Sequence, residues 1–165
     1  MNRKTACLAL LASVLLAACG PQPGTPGPAG SAGPPAERAG VASKDFGDYV
    51  LHFNAISTDQ LTPEVAKTYD IVRSKNRALL NVSIVRKVEG TTGQPVPGAV
   101  AALVANDTGQ VKDSKLREIR EGEAVYYIAD FAVSNGETLV FTIDATPINE
   151  TSRFSVRFTR TFYGE

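Results

Sequence analysis

Beyond residue 19 this chain has no cysteine. Its only two, Cys7 and Cys19, lie at the amino-terminal end. A folded part built from the remainder holds no disulfide and must draw its stability from packing. Histidine is nearly as scarce: His52 stands alone. Zinc asks for several Cys or His ligands, so a protein-built zinc site is excluded. The acids nowhere take the spacing of a calcium-binding EF-hand loop. No glycine-rich phosphate loop or dinucleotide fingerprint occurs either, and no cofactor is expected. An excess of positive charge is also missing. Lys and Arg number 17, as do Asp and Glu, and nucleic acid as a partner has no electrostatic basis. The longest apolar run, Leu8 to Ala18, is shorter than the about 20 residues a membrane-spanning helix needs.

That short run reads instead as a targeting segment. Arg3 and Lys4 precede it, and Leu16-Ala17-Ala18-Cys19 ends it, followed at once by Gly20 and Pro21. Small residues before a cysteine, behind a cationic start and a short apolar core, resemble the lipobox of bacterial lipoproteins. The resemblance implies that residues 1–18 are a signal peptide and that Cys19 becomes the lipidated first residue. An ordinary secretory signal, with Cys19 incidental, is the competing reading. One acyl chain holds a protein only marginally and two give stable attachment. Bacterial lipoproteins usually carry more than one, so the expected partner is a membrane, through lipid on Cys19. Gly20 stands where an aspartate would favour inner-membrane retention, which points to the outer membrane, facing the periplasm. Losing Arg3 and Lys4 leaves 15 cations against 17 acids, a net charge of −2.

Residues 19–43 form a Pro/Gly-rich tether. Four Gly-X-Y triplets between Gly24 and Pro35 are too few for a collagen helix. An extended, partly polyproline spacer reaching roughly 75 Å fits better.

Residues 44–165 make one ordinary domain without internal repeats. Seven strands are predicted. Apolar positions on one face mark Tyr49 to Ala55, Ala78 to Val88, Ala124 to Val133, one around Leu139 to Ile143 and one from Phe154 to Phe162; a small-residue strand, Ala99 to Ala105, and a charged, exposed one, Lys115 to Arg120, join them. Leu79 and Val85 make part of the second face of the Ala78 strand apolar, so that strand should be covered on both sides. Thr62-Pro63-Glu64 reads as a helix start, with a hydroxyl cap, a first-turn proline and an acid near the positive end. Val65, Ala66 and Tyr69 would pack inward. Gly90 to Gly98, holding Pro95 and Pro97, reads as a loop. The fold class expected is all-β: an antiparallel immunoglobulin-like sandwich of about seven strands with one short helix.

Candidate sites are few. His52 lies on the strand face opposite Leu51 and Phe53, with no nucleophile-elbow motif in the sequence, so no catalytic residue is assigned. Arg73-Ser74-Lys75-Asn76-Arg77 is a basic run between the helix and a central strand. It is either a solvated connection whose arginines cover carbonyls at the helix end, or a binding patch in which Arg73, Lys75 and Arg77 meet an anionic envelope ligand or a protein. Arg160 shares the apolar side with Phe158 and Phe162, so it must escape at the strand end or pair with Glu118 or Glu121.

Several blocks resemble one family: Phe46-Gly47-Asp48-Tyr49, Phe53-Asn54-Ala55, Leu61-Thr62-Pro63-Glu64-Val65-Ala66, Arg73-Ser74-Lys75-Asn76-Arg77-Ala78, Arg120-Glu121-Gly122-Glu123-Ala124-Val125-Tyr126-Tyr127 and Phe158-Thr159-Arg160-Thr161-Phe162-Tyr163. They are similar to a family of small exported proteins of Gram-negative bacteria, catalogued as a domain of unknown function. The resemblance covers nearly all of 44–165. It implies a β-rich exported domain and no activity, substrate or site. Members often carry a plain secretory signal, so a lipobox would be a departure.

Three functions compete on this reading. The first is a lipid-anchored periplasmic binding or accessory module without catalysis. The second is a cell-envelope hydrolase with a dispersed site not visible in the sequence, for which His52 beside a serine or carboxylate in a closed pocket would be the sign. The third is a structural protein whose open sheet edge, the final strand, pairs with another chain.

Overall fold

A computed structural model describes residues 42–164; the signal, Cys19 and most of the tether lie outside them. Nine strands alternate with one short helix. They are β1 (Ala42–Phe46), β2 (Tyr49–Ser57), β3 (Arg77–Arg86), β4 (Gln94–Val96), β5 (Gly98–Asn106), β6 (Arg117–Glu121), β7 (Ala124–Ala132), β8 (Glu137–Pro147) and β9 (Phe154–Phe162). A single 3-10 turn (Thr58–Gln60) and the helix α1 (Pro63–Thr68) fall between β2 and β3. One sheet runs β1-β2-β3-β7-β6, with β4 also against β3. The other runs β5-β8-β9. All pairings are antiparallel, and the architecture is an all-β sandwich.

The period of two places the core. Leu51, Phe53 and Ala55 of β2 face inward, as do Leu80, Val82 and Ile84 of β3. Leu139, Phe141, Ile143 and Ala145 of β8 oppose them from the second sheet. Phe141 sits at the centre, its ring stacked on Phe158 with centroids 4.6 Å apart and tilted against Phe131 and Phe162. Burying each such side chain contributes about 1.5–3 kcal/mol, which is how a thiol-free domain holds together.

Two strands escaped the sequence reading. β1 begins at Ala42, so Ala42 and Ser43 are strand residues rather than tether. Its side chains are exposed at four of five positions, and no apolar alternation marks it. β4 falls inside the stretch read as a loop. Pro95 sits opposite Val85 in a three-residue edge segment, a place where sheets tolerate proline. Gly98, which opens β5, tolerates no side chain. A Cβ there would lie 2.4 Å from the Thr146 carbonyl oxygen and 2.8 Å from Ile84 Cδ1. The Tyr127 hydroxyl ties the sheets at the same point: it accepts from the Gly98 N–H at 2.8 Å and faces the Gly98 carbonyl and Glu118 Oε2.

Arg160 finds neither carboxylate expected for it. Glu118 is held by Arg120 and Tyr127. β9 lies against β1 and β2, where Phe154 stacks on Phe46, whereas β6 borders β7.

Candidate functional site

The outward face of the larger sheet carries a second apolar cluster, separate from the core between the sheets. Buried Ala66, Ile71, Leu79 and Ile128 form it, with Ile56, Leu61, Tyr69, Ile119 and Tyr126 packed around them. It exists because residues 58–76 leave the sheet at the end of β2 and fold back over it as a strap.

Local chemistry builds the strap. The Thr62 hydroxyl caps α1 by accepting from the Val65 N–H at 3.3 Å, and Pro63 occupies the first turn. Such caps are worth about 1 kcal/mol. The helix stops after two turns because Asp70 turns left-handed, with φ 52°. The Ile71 N–H then bonds the Ala66 carbonyl at 2.8 Å and the Asp70 N–H bonds that of Lys67. This is a Schellman ending, and its usual apolar contact is supplied by Ile71 and Ala66. The strap's two ends meet at Thr58, which is fully buried. Its hydroxyl accepts from the Ser74 N–H at 2.9 Å and lies 2.8 and 3.0 Å from the Val72 and Ser74 carbonyls, to one of which it donates.

Between strap and sheet is a cavity of about 320 Å³. Four strands supply its floor in pairs: Asn54 and Ile56, Leu79 and Asn81, Tyr126 and Ile128, Ile119 and Glu121. Leu61, Val65, Tyr69 and Ile71 of the strap line it from above and leave it partly open. The walls are chiefly apolar, and the polar groups are few and placed. Asn54 and Asn81 are direct cross-strand partners. The Asn81 Oδ1 is buried and has no hydrogen-bond partner, although buried polar atoms are nearly always paired. At the rim, the Glu121 carboxylate in hydrogen-bonding position, together with burial, pushes the Tyr69 hydroxyl up to about 12. Arg117 steadies the strap from outside by donating to the Tyr69 carbonyl. A small, mostly apolar cavity with a few convergent polar groups is the usual form of a ligand site.

The residues singled out in the sequence lie elsewhere. Arg73 donates to the Asp59 carbonyl at 2.9 Å, Lys75 lies in the turn before β3, and Arg77 forms an ion pair with Asp130 of β7. Arg73 and Arg77 are thus engaged with the strap and the sheet. None of the three lines the cavity. His52 is half-buried on the same outward face, opposite Ser43 of β1 and Ser83 of β3, and no carboxylate bonds to it among the described residues. Within the described residues no three His, Cys, Asp or Glu side chains converge. No described helix is long and apolar enough to cross a membrane.

Sequence reasoning missed the cavity. Its visible signs were the apolar second face of β3 at Leu79 and the inward-packing Val65 and Tyr69 of the helix. Nothing in the sequence singles out Asn54 and Asn81, which become cavity-lining through strand register and the cover of the strap.

Fold and site together define a two-sheet β-sandwich carrying a strapped pocket on one outer face. Residues 43–165 match the family described as domain of unknown function DUF4426, and the chain belongs to that family. The crystal structure of a DUF4426 family protein from Pseudomonas aeruginosa PAO1 is similar over 76% of this chain and 97% of that one, at 32% identity and a TM-score of 0.64. FetP of uropathogenic E. coli strain F11, recombinantly expressed in the periplasm, shares the fold at 13% identity and a TM-score of 0.51, over 76% of this chain and 95% of that one. A copper-bound variant of FetP aligns at 14% identity, also with a TM-score of 0.51, over 76% and 96%. No curated protein sequence matches this chain.

Proposed function

We propose that this protein is a non-enzymatic binding module of the bacterial cell envelope, moored by lipid on Cys19 and binding its ligand in the pocket beneath the 58–76 strap. The observation that carries the site is the buried, unpartnered Asn81 Oδ1 in a cavity that lies apart from the inter-sheet core. A buried acceptor without a partner costs stability, and a ligand that bonds it removes the cost. The lipobox-like Leu16-Ala17-Ala18-Cys19 supports the mooring, and the tether would hold the pocket clear of the headgroups. Periplasmic expression of the distant fold relative FetP is consistent with an envelope location.

Copper is not carried over from FetP. Protein copper sites draw on imidazole, thiolate or thioether ligands. Residues 42–164 contain His52 and no Cys or Met, so the donor set does not fit.

The test is native mass spectrometry of the full chain purified from the envelope. A retained small-molecule mass should vanish in Ile56→Phe, which fills the cavity, and persist in Arg73→Glu. The opposite pattern would return the site to the basic run. Mooring is tested separately: Cys19→Ser should move the protein out of the membrane pellet, and a Cys19→Ser chain that still pelleted would refute it.

One observation favours a second reading. β9 pairs with β8 alone among the described strands, so its other edge is open to a further strand. Sedimentation across a wide concentration range distinguishes it: a monomer throughout removes self-pairing by this edge.

A further inference from the structure

We infer that the pocket takes a small amphiphile whose polar end donates hydrogen bonds, an amine or an alcohol, and that it rejects carboxylates. The inference rests on the pocket being the binding site and adds the chemistry of the ligand. Three buried polar atoms lack a partner among the described residues: Asp59 Oδ1, Arg77 Nε and Asn81 Oδ1. Of these, only Asn81 lines this cavity. It is an acceptor, and what it lacks is a donor.

The one charged side chain lining the cavity is Glu121. It too is an acceptor, facing the Tyr69 hydroxyl. Glu121 stands two strands over and four register positions along from Asn81, so a ligand's polar end meets one acceptor or the other. An ammonium or hydroxyl is favoured at either, and a cation gains the larger attraction at Glu121 because a hydrogen bond to a charged group is the stronger kind. A ligand carboxylate would bring a further acceptor against Asn81 or a like charge against Glu121. The Asn54 amide, facing Asn81 across the strand pair, offers a donor to a hydroxyl oxygen, which an ammonium lacks; a carboxylate reaches it only beside the unpaired Asn81 acceptor. Leu79, Ile128, Ile56 and Ile119 fix the rest of the ligand as apolar. The cavity of about 320 Å³ lies at the small end of ligand pockets, about 300–1,000 Å³, so the body is a short chain or single ring.

The experiment uses the full chain carrying Cys19→Ser, so that no attached lipid competes. Its backbone amides are followed by nitrogen-15 NMR while n-octylamine, 1-octanol or octanoate is added at neutral pH below micellar concentrations. Octylammonium and octanol should shift the amides of Ile56, Leu79, Ile119 and Ile128 saturably. Octanoate should bind at least about tenfold more weakly than octylammonium. Glu121→Gln should erase the preference for octylammonium over octanol while leaving octanol binding in place. Equal binding of all three probes, or octanoate binding tightest, would overturn the ligand class and leave the pocket as a site. Saturable shifts from none of them would overturn both. A preference for octylammonium that survived Glu121→Gln would remove Glu121 from the account.

Discussion

The inward face of the larger sheet buries Leu51, Leu80, Val82 and Ile84 against a second sheet, and the Tyr127 hydroxyl there meets Gly98 and Glu118. Its outward face buries Ala66, Ile71, Leu79 and Ile128 under a two-turn helix, and leaves a cavity with an amide oxygen unpaired. The same strands build both. β3 presents Leu80 and Val82 to one side and Leu79 and Asn81 to the other. Dense packing over one face gives the domain its stability. Looser cover over the other leaves a cavity beneath the strap. On the proposed reading, stability and binding fall on opposite sides of one sheet.

The largest effect should come from breaking the dense side. Phe141→Ala removes the ring that stacks on Phe158 and should cost about 3–5 kcal/mol, seen as global loss of structure in denaturant titration. Ile71→Ala on the loose side should cost less. It should accelerate hydrogen exchange in residues 58–76 while the exchange of β8 keeps its wild-type rate. Equal global losses from both would erase the distinction.

Next comes the strap's anchor. Thr58→Val keeps the shape but strips the hydroxyl from the Ser74 N–H and its carbonyl partner. A loss of about 1–3 kcal/mol is expected, with exchange accelerated in the strap first.

A smaller effect depends on pH. Lys112 and Glu137, with 17% and 14% of their side chains exposed, form the most buried of the ion pairs found. Burial works to raise the Glu137 pKa, but the Lys112 ammonium and the Ser134 N–H outweigh it and hold the carboxyl below its ordinary 4.5. A depressed pKa gives stability that is fully present above the unfolded value and is lost as pH falls through the folded one. Glu137→Gln should therefore cost about 1 kcal/mol at pH 7 and nothing near pH 2. Guanidinium midpoints measured across that range check it; a constant difference would refute the linkage. This pair joins the segment after β5 to β8, so the strap should not feel it.

The smallest effect refines the loose side. Asp70→Gly relieves the left-handed residue that ends α1 and should gain about 0.5–1 kcal/mol, read as slower exchange in α1 alone.

Much of the dense side was legible in the sequence, because alternation at Leu51, Phe53, Leu80, Val82, Phe141 and Ile143 states which face is buried. The cap at Thr62 was legible for a similar reason: its signals are local. The pocket was not. Asn54 and Asn81 lie 27 positions apart and meet only through strand register, and their cover depends on a turn at Asp70 that no glycine announces. β1 was invisible because an exposed edge strand needs no apolar pattern. The basic run was conspicuous in sequence for its charge, yet Arg73 and Arg77 serve a carbonyl and a carboxylate of the fold itself.

The central claim is that the outward face holds space beneath the strap while the inward face is filled by the inter-sheet core. It is tested most directly by adding bulk to each and measuring stability by denaturant titration. Ile56→Phe extends into the cavity and should change stability by less than about 0.5 kcal/mol, while Ala145→Leu overpacks the inter-sheet core and should cost about 1–3 kcal/mol. A loss from Ile56→Phe as large as that from Ala145→Leu would contradict the account.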